Sequence, residues 1–524
     1  AAELLLNRQA MASHTFITGS TGTGKSNAVY HLLDEITKNG QTTFLVVEPA
    51  KGEYKNVFGN CTDVQVFGTN PRETPLLRMN PFAFPENIHI LEHIDRLVEI
   101  FNACWPMYAA MPAVLKDAIE RSYQKVGWDL RNSESEKGVF PTFFDLLDIL
   151  PGVIEESHYS KDTQSDYVGA LCTRVKSLTN GIYGSVLCAE DALTDEALFD
   201  RNVIVDLSRV GSMETKSLLM GILVMKLQEY RMCSSGMNSR LRHVTVLEEA
   251  HNLLRKTSAE QSQEGANLQG KSVEMLANAI AEMRTYGEGF IIADQAPGLL
   301  DMSVIRNTNT KIILRLPDEE DRKLVGKSAA LKEAQIDELS KLPLGVAAVY
   351  QNEWPEAVLC KIEAYPMPEN AVYHKPSKMP HEINAEFVFG QLAVGKELEP
   401  LSSSEMEQLK LWLKRHETVL KPEDSRYLER VFAGGELDVA KTRKAVFDFF
   451  GGIGTVVDYC AAAKKSLTPR KEFLEQLQGQ YGLKAAAADW VLNSVISMGM
   501  SLNPDAKAVD NLRTNFERQG GRVL

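Results

Sequence analysis

Eight residues constrain this chain more than any others: Gly19-Ser20-Thr21-Gly22-Thr23-Gly24-Lys25-Ser26. They fit the pattern G-x-x-x-x-G-K-[ST]. An apolar, β-branched run (HTFIT, residues 14–18) precedes them, and an amphipathic stretch (27–38) follows. Strand, glycine-rich turn and helix form the context the pattern requires. Glycines let the backbone curl until successive N–H groups face phosphate oxygens. The helix start adds the positive end of its dipole. Lys25 is expected to reach the β- and γ-phosphates and Ser26 to offer its hydroxyl to Mg²⁺. Gly22, Thr23, Gly24 and Asn27 complete the expected binding set. The competing reading is a glycine-rich turn without a ligand.

Other short apolar runs recur at 43–48 (TFLVVE), 203–207 (VIVDL), 244–248 (VTVLE), 290–294 (FIIAD), 311–316 (KIILRL) and 346–350 (VAAVY). Brief, nearly continuous apolar runs mark strands covered on both faces. Helical spacing follows at 217–230 and 273–283. The alternation predicts an α/β fold: a phosphate-loop core with a mainly parallel, doubly wound sheet. Between 81 and 202 the strand pattern lapses and 90–102, 111–126 and 143–150 read as helices, a helical insertion. The core is then expected at 1–80 and 203–365. A proline-broken linker (366–380) leads to a helical C-terminal region (381–524), where Ser402–Glu405 reads as a capping box before a helix at 406–416.

A phosphate-loop hydrolase also needs a carboxylate for Mg²⁺ and a group to polarise the attacking water. Both belong at the C-terminal end of a strand beside the loop, where open α/β sheets bind ligands. The run TVLEEAH ends its apolar stretch there with Glu248 and Glu249. Glu248 is expected to partner Mg²⁺ and Glu249 to polarise water. A solvated strand end is the plainer alternative. Gln295, after the run 290–294, is expected to sense the γ-phosphate or to cap a loop. Glu48 closes another run and either faces the same site or shapes the turn after it. Two arginines stand out as groups that a neighbouring subunit's site could use. Arg284 otherwise serves as a C-terminal helix charge. Arg315, inside an apolar run, otherwise forms a buried salt bridge.

The chain has 524 residues, a formal net charge of −13 and no long block of like charge, which argues against a protein that coats nucleic acid with its whole surface. The seven cysteines show no CxxC or metal-ligand spacing, so a reduced, cytoplasmic chain is expected. No run of about 18 apolar residues predicts a membrane span, and no signal peptide is visible. The chain starts at Ala1 with its first motif close behind, so a preceding segment is expected in the full polypeptide.

In order and spacing, ITGSTGTGKSN, EPAKGEY, VTVLEEAHNLL, EMRTYGEGFIIADQ and NTNTKIILRL resemble the HerA branch of the HerA/FtsK ATPases, over about residues 16–358. The resemblance implies a RecA-like core, a homo-hexameric ring, and ATP hydrolysis with Mg²⁺ that moves double-stranded DNA, often beside a nuclease or other effector. In bacteria it suggests a setting in anti-phage defence. It implies Lys25 and Ser26 on phosphate and Mg²⁺, Glu249 as catalytic acid, Gln295 as sensor, and Arg284 or Arg315 acting across the subunit interface. Two features depart from the pattern. Most relatives have Asp where Glu248 stands, and Asp-x-x-Gly-Glu-Tyr where this chain has Glu48 and one extra residue before Gly52. Relatives also carry a small β-barrel ahead of the loop, expected here to be absent, removed or outside the given residues. The polar stretch 255–271 is a candidate pore loop or a mobile surface loop. Rival functions are a conjugation- or secretion-type motor and an ATP-dependent scaffold.

Overall fold

A computed structural model describes residues 3–38, 40, 42–108, 110–135, 138–189, 192–257, 268–367, 371–375, 422–432, 438–465, 468–481 and 485–523. The chain divides into two compact units, residues 1–375 and 376–524.

The first unit is built on a nine-stranded sheet. In chain order its strands are β1 (Thr15–Thr18), β2 (Thr43–Glu48), β3 (Val64–Gly68), β6 (Asn202–Asp206), β7 (His243–Glu248), β8 (Glu288–Asp294), β9 (Thr310–Ile313), β10 (Val346–Gln351) and β11 (Val358–Lys361). Across the sheet they run β11-β10-β9-β1-β8-β7-β2-β6-β3. From β9 to β3 every pairing is parallel, and β10 and β11 add an antiparallel edge. The expected α/β class with a mainly parallel sheet is what the structure has. A separate two-stranded ribbon, β4 (Trp128–Asp129) with β5 (Glu134–Ser135), lies between β3 and β6 in the chain.

Alternation along each strand assigns the two faces. Ile17, Phe44, Val46, Val244, Val246, Ile291 and Ala293 pack with Val29, Leu33 and Ile36 of the helix Lys25–Thr37. Phe16, Leu45, Val47, Leu247, Phe290 and Ile292 face the opposite core, which continues into the helices Ile90–Cys104, Met111–Lys125, Phe143–Glu156 and Met213–Ser234. Both faces are covered, so the strands read as apolar runs rather than alternating ones.

Two strand readings need correction. The run 311–316 is apolar as far as Leu316, but β9 stops at Ile313. Arg315 therefore lies beyond the strand and is exposed, not in a buried salt bridge. Secondly, β3 escapes the pattern because it is the edge strand beyond β6, with Val64 and Gln65 only half-buried.

The described part of the second unit is helical: Pro422–Phe432, Val439–Phe449, Gly452–Ala463, Pro469–Tyr481, Ala485–Leu502 and Ala506–Arg518. Its own core gathers Leu428, Val446, Phe449, Tyr459, Leu492, Ile496 and Phe516. The expected capping box at 402–405 and its helix fall outside the described residues. Among the described residues no single helix is long and apolar enough to cross a membrane.

Candidate nucleotide-hydrolysis site

The parallel strands deliver their C-terminal ends to one edge. There the phosphate loop leaves β1, Glu248 closes β7, Asp294 closes β8, Glu48 closes β2 and Asp206 closes β6. The loop is held from beneath. Ser20 N–H donates to the Arg315 carbonyl (3.0 Å), and Thr23 donates to the Ser20 carbonyl from its N–H (3.2 Å) and its hydroxyl (2.7 Å). Gly24 sits at φ 106°, where an L side chain is strained. A Cβ on Gly19 would lie 2.7 Å from both Leu314 Cβ and Thr23 Oγ1, so the loop could not pass there with any larger residue.

Lys25 and Glu249 meet above this loop, Nζ to Oε1 at 3.9 Å. Glu249 lies just past β7 in the left-handed region (φ 46°, ψ 51°), unusual for a side chain of this size. Its Oε2 is buried and accepts no hydrogen bond among the described residues. Burial raises the Glu249 carboxyl above its ordinary range, against the pull of Lys25. Gln295 closes the other side, accepting from the Thr21 hydroxyl (2.8 Å). The structure thus brings Lys25, Glu249, Gln295 and the loop residues Gly22, Thr23 and Gly24 to one edge.

Glu248 is more deeply buried, and the Tyr54 hydroxyl donates to its Oε1. Tyr54 is itself buried, its ring edge-on to Tyr30 of the helix after the loop at 5.0 Å. One oxygen of Glu248 is therefore already engaged. The donor set near the loop is the Ser26 hydroxyl and carboxylate oxygens, the hard ligands that suit Mg²⁺. Asn27 uses its side chain elsewhere: Nδ2 donates to the Glu363 carbonyl (2.8 Å) and Oδ1 accepts from Tyr365 N–H (2.7 Å). Only its backbone remains for a phosphate.

The two arginines separate. Arg315 is exposed beside the loop, its carbonyl bound to Ser20. Arg284 is exposed on the turn that precedes β8, at the opposite edge of the sheet from its own chain's loop. Of the stretch 255–271, residues 258–267 lie outside the described residues.

Glu48 shapes the turn after β2. Only 3% exposed, it accepts the N–H groups of Glu53 (2.7 Å) and Tyr54 (3.1 Å). Burial pushes its carboxyl from 4.5 up to about 7; the two N–H groups oppose the shift and Asp206 and Glu248 add to it. A raised folded-state value means that folding favours the protonated form. The resulting stability is complete below the unfolded value and is lost as pH rises through about 7. At about 1.4 kcal/mol per unit, the loss is on the order of 3 kcal/mol. Glu48→Gln removes this dependence. Urea unfolding is expected to show the variant gaining on the parent by about that amount between mildly acidic and mildly alkaline pH. A gap that does not change with pH would contradict a neutral, buried Glu48.

Sequence reasoning missed Tyr54 and His251 as parts of the site, and Asp294 as more than a strand end. Asp294 is fully buried and accepts from His251 N–H (2.8 Å), with His251 Nδ1 at 2.9 Å. The available signal was an acidic residue closing an apolar run just before Gln295.

The family model described as "Helicase HerA, central domain" matches residues 2–225. A DNA double-strand break repair helicase HerA from Sulfolobus acidocaldarius is 25% identical over 378 residues, covering 69% of this chain and 67% of that protein. The protein of the same name from Saccharolobus solfataricus is 23% identical over 359 residues, covering 66% and 63%. Among solved structures, VirB4 of Thermoanaerobacter pseudethanolicus aligns with a TM-score of 0.52 at 19% identity, over 67% of this chain and 90% of that one. The plasmid coupling protein TrwB, in complex with a non-hydrolysable ATP analogue, aligns at 0.51 and 14% identity, over 71% and 90%. These two likenesses establish a shared fold. The central-domain match takes in the phosphate loop and the helical segment, and the HerA matches are longer than that domain. By these matches the chain is similar to the HerA-type ATPases.

Proposed function

We propose that this chain is an ATP-hydrolysing, ring-forming translocase of double-stranded DNA. The observation that carries the reading is Glu249, held in a left-handed turn 3.9 Å from Lys25 with one buried oxygen unengaged. Glu249 accepts a proton from water as the water oxygen attacks the γ-phosphorus and the bond to the bridging oxygen of ADP breaks. Lys25 and the loop N–H groups stabilise charge on the phosphates. Gln295, hydrogen-bonded to Thr21, reports the γ-phosphate to the loop. Ser26 and Glu248 would hold Mg²⁺, which supplies charge neutralisation on the phosphate oxygens.

Arg284 acts on a neighbour's nucleotide; its exposed position at the far edge of the sheet supports a role across an interface. Arg315, exposed beside its own loop, is the second candidate. The HerA relatives are named as DNA repair helicases, which supports DNA as the polymer moved. A homo-hexamer, a nuclease or other effector partner, a cytoplasmic setting and a place in anti-phage defence follow from the family resemblance.

The test is ATP turnover with and without duplex DNA, alongside native mass with and without ATP. Duplex DNA is expected to raise turnover several-fold, and ATP to favour a hexamer. Turnover indifferent to DNA in a chain that stays monomeric would contradict the reading.

A further inference from the structure

Two turns carry the hydrolytic groups. Glu249 is on the turn after β7 and Gln295 on the turn after β8. Both turns are tied to one buried carboxylate. Asp294 Oδ2 accepts the His251 N–H at 2.8 Å and lies 2.9 Å from His251 Nδ1. Its Oδ1 accepts the Ala296 N–H at 2.9 Å. His251 is two residues past Glu249, and Ala296 one past Gln295. β1 meets Asp294 only through the strand ladder, at Thr18, and among the described residues the partners of its carboxylate are on the two turns.

The β7 turn needs such a tie. A left-handed glutamate is strained and persists only where its surroundings over-determine it. Asn252 supplies part of that support, donating to the Glu249 carbonyl from its N–H (2.9 Å) and Nδ2 (2.7 Å). Those bonds close the turn on itself. Asp294 is what fixes the turn to the neighbouring strand. His251 Nδ1 also lies 3.5 Å from Glu249 Oε2, so the clamped imidazole flanks the unengaged oxygen.

We propose that Asp294 is a positioning residue that, through His251 and the Ala296 N–H, sets Glu249 and Gln295 relative to each other over the phosphate loop. The inference rests on Glu249 being the group that activates water. Asp294 itself touches no phosphate. Its loss loosens the geometry of the chemical step while leaving the loop that binds nucleotide intact.

The experiment uses the full chain with Asp294→Asn, which keeps the shape but places an amide against donors. Turnover is expected to fall ~10–100-fold, the cost of small misplacements in a reacting geometry. Affinity for a fluorescent ATP analogue is expected to stay within about twofold of the parent, since the loop is untouched. The double variant with Glu249→Gln is expected to be no slower than Glu249→Gln alone, because the two residues act as a unit. Unchanged turnover in Asp294→Asn, or additive losses in the double variant, would overturn the proposal. Recovery of turnover at raised Mg²⁺ would also overturn it, by making Asp294 a metal ligand. If Asp294→Asn does not fold, His251→Ala decides. Lowered turnover with unchanged ATP binding supports the clamp, and unchanged turnover refutes it. A parent chain that does not hydrolyse ATP would instead refute the proposed function, so the two failures are distinguishable.

Discussion

Lys25→Ala is expected to abolish measurable ATP turnover, a loss of at least about 10²–10³-fold, the scale for removing one preorganised charge-stabilising donor. The loop leaves no substitute. Ser20 and Thr23 spend their side-chain hydroxyls on loop-closing carbonyl bonds, and the Thr21 hydroxyl is given to Gln295. Lys25 also faces Glu249 across 3.9 Å. Its removal therefore deprives the phosphates of a charge and raises the Glu249 carboxyl further, since Lys25 is the leading influence that lowers it. ATP binding should weaken along with turnover. Equilibrium titration with a fluorescent ATP analogue and a phosphate-release assay measure the two effects separately. Full turnover in the variant would remove Lys25 from the site.

Glu249→Gln is expected to behave differently. The substitution preserves size and leaves the left-handed turn and the Asn252 bonds to its carbonyl in place. It removes only the proton acceptor. Turnover should fall by about 10²–10⁴-fold, the usual range for a general base. ATP affinity should hold or rise, because Lys25 is released from its carboxylate partner for the phosphates. The pair of variants thus divides the site: one loses binding and chemistry, the other chemistry alone.

Glu248 contributes in another way. Its deep burial and its bond to Tyr54 tie the end of β7 to the turn after β2. That turn begins at Glu48, whose carboxyl oxygens accept the Glu53 and Tyr54 N–H groups. The length of the Glu248 side chain lets its carboxylate reach Tyr54 while β7 stays in register with β2 and β8.

What could be read from the sequence depended on whether the signal was local. The phosphate loop was legible because strand, glycines, Lys25 and helix are contiguous and each has a reason to be there. The place of Glu249 beside the loop was legible because the acidic pair closes an apolar run in a chain that already carries a phosphate loop. Where apolarity and hydrogen bonding part company, the reading failed. Leu314 and Leu316 continue the apolar run after β9 has stopped pairing with β1 and β10, so Arg315 seemed buried when it is exposed. The edge strands β3 and β11 were lost for the converse reason: they pair, but their side chains are partly or largely in solvent. Asp294 showed only as an acidic residue closing an apolar run, and Tyr54 only as the end of EPAKGEY. Their roles exist only because β7 lies between β8 and β2 in the sheet, an order the chain does not follow.

The central claim is that this edge of the sheet hydrolyses ATP and that Glu249 activates the water. Single-turnover phosphate release from ATP with Mg²⁺, measured on the parent chain and on Glu249→Gln at saturating protein, tests it most directly. Release by the parent, and bound but uncleaved ATP in the variant, is the predicted result. Phosphate released at equal rates by both, or by neither, would contradict it.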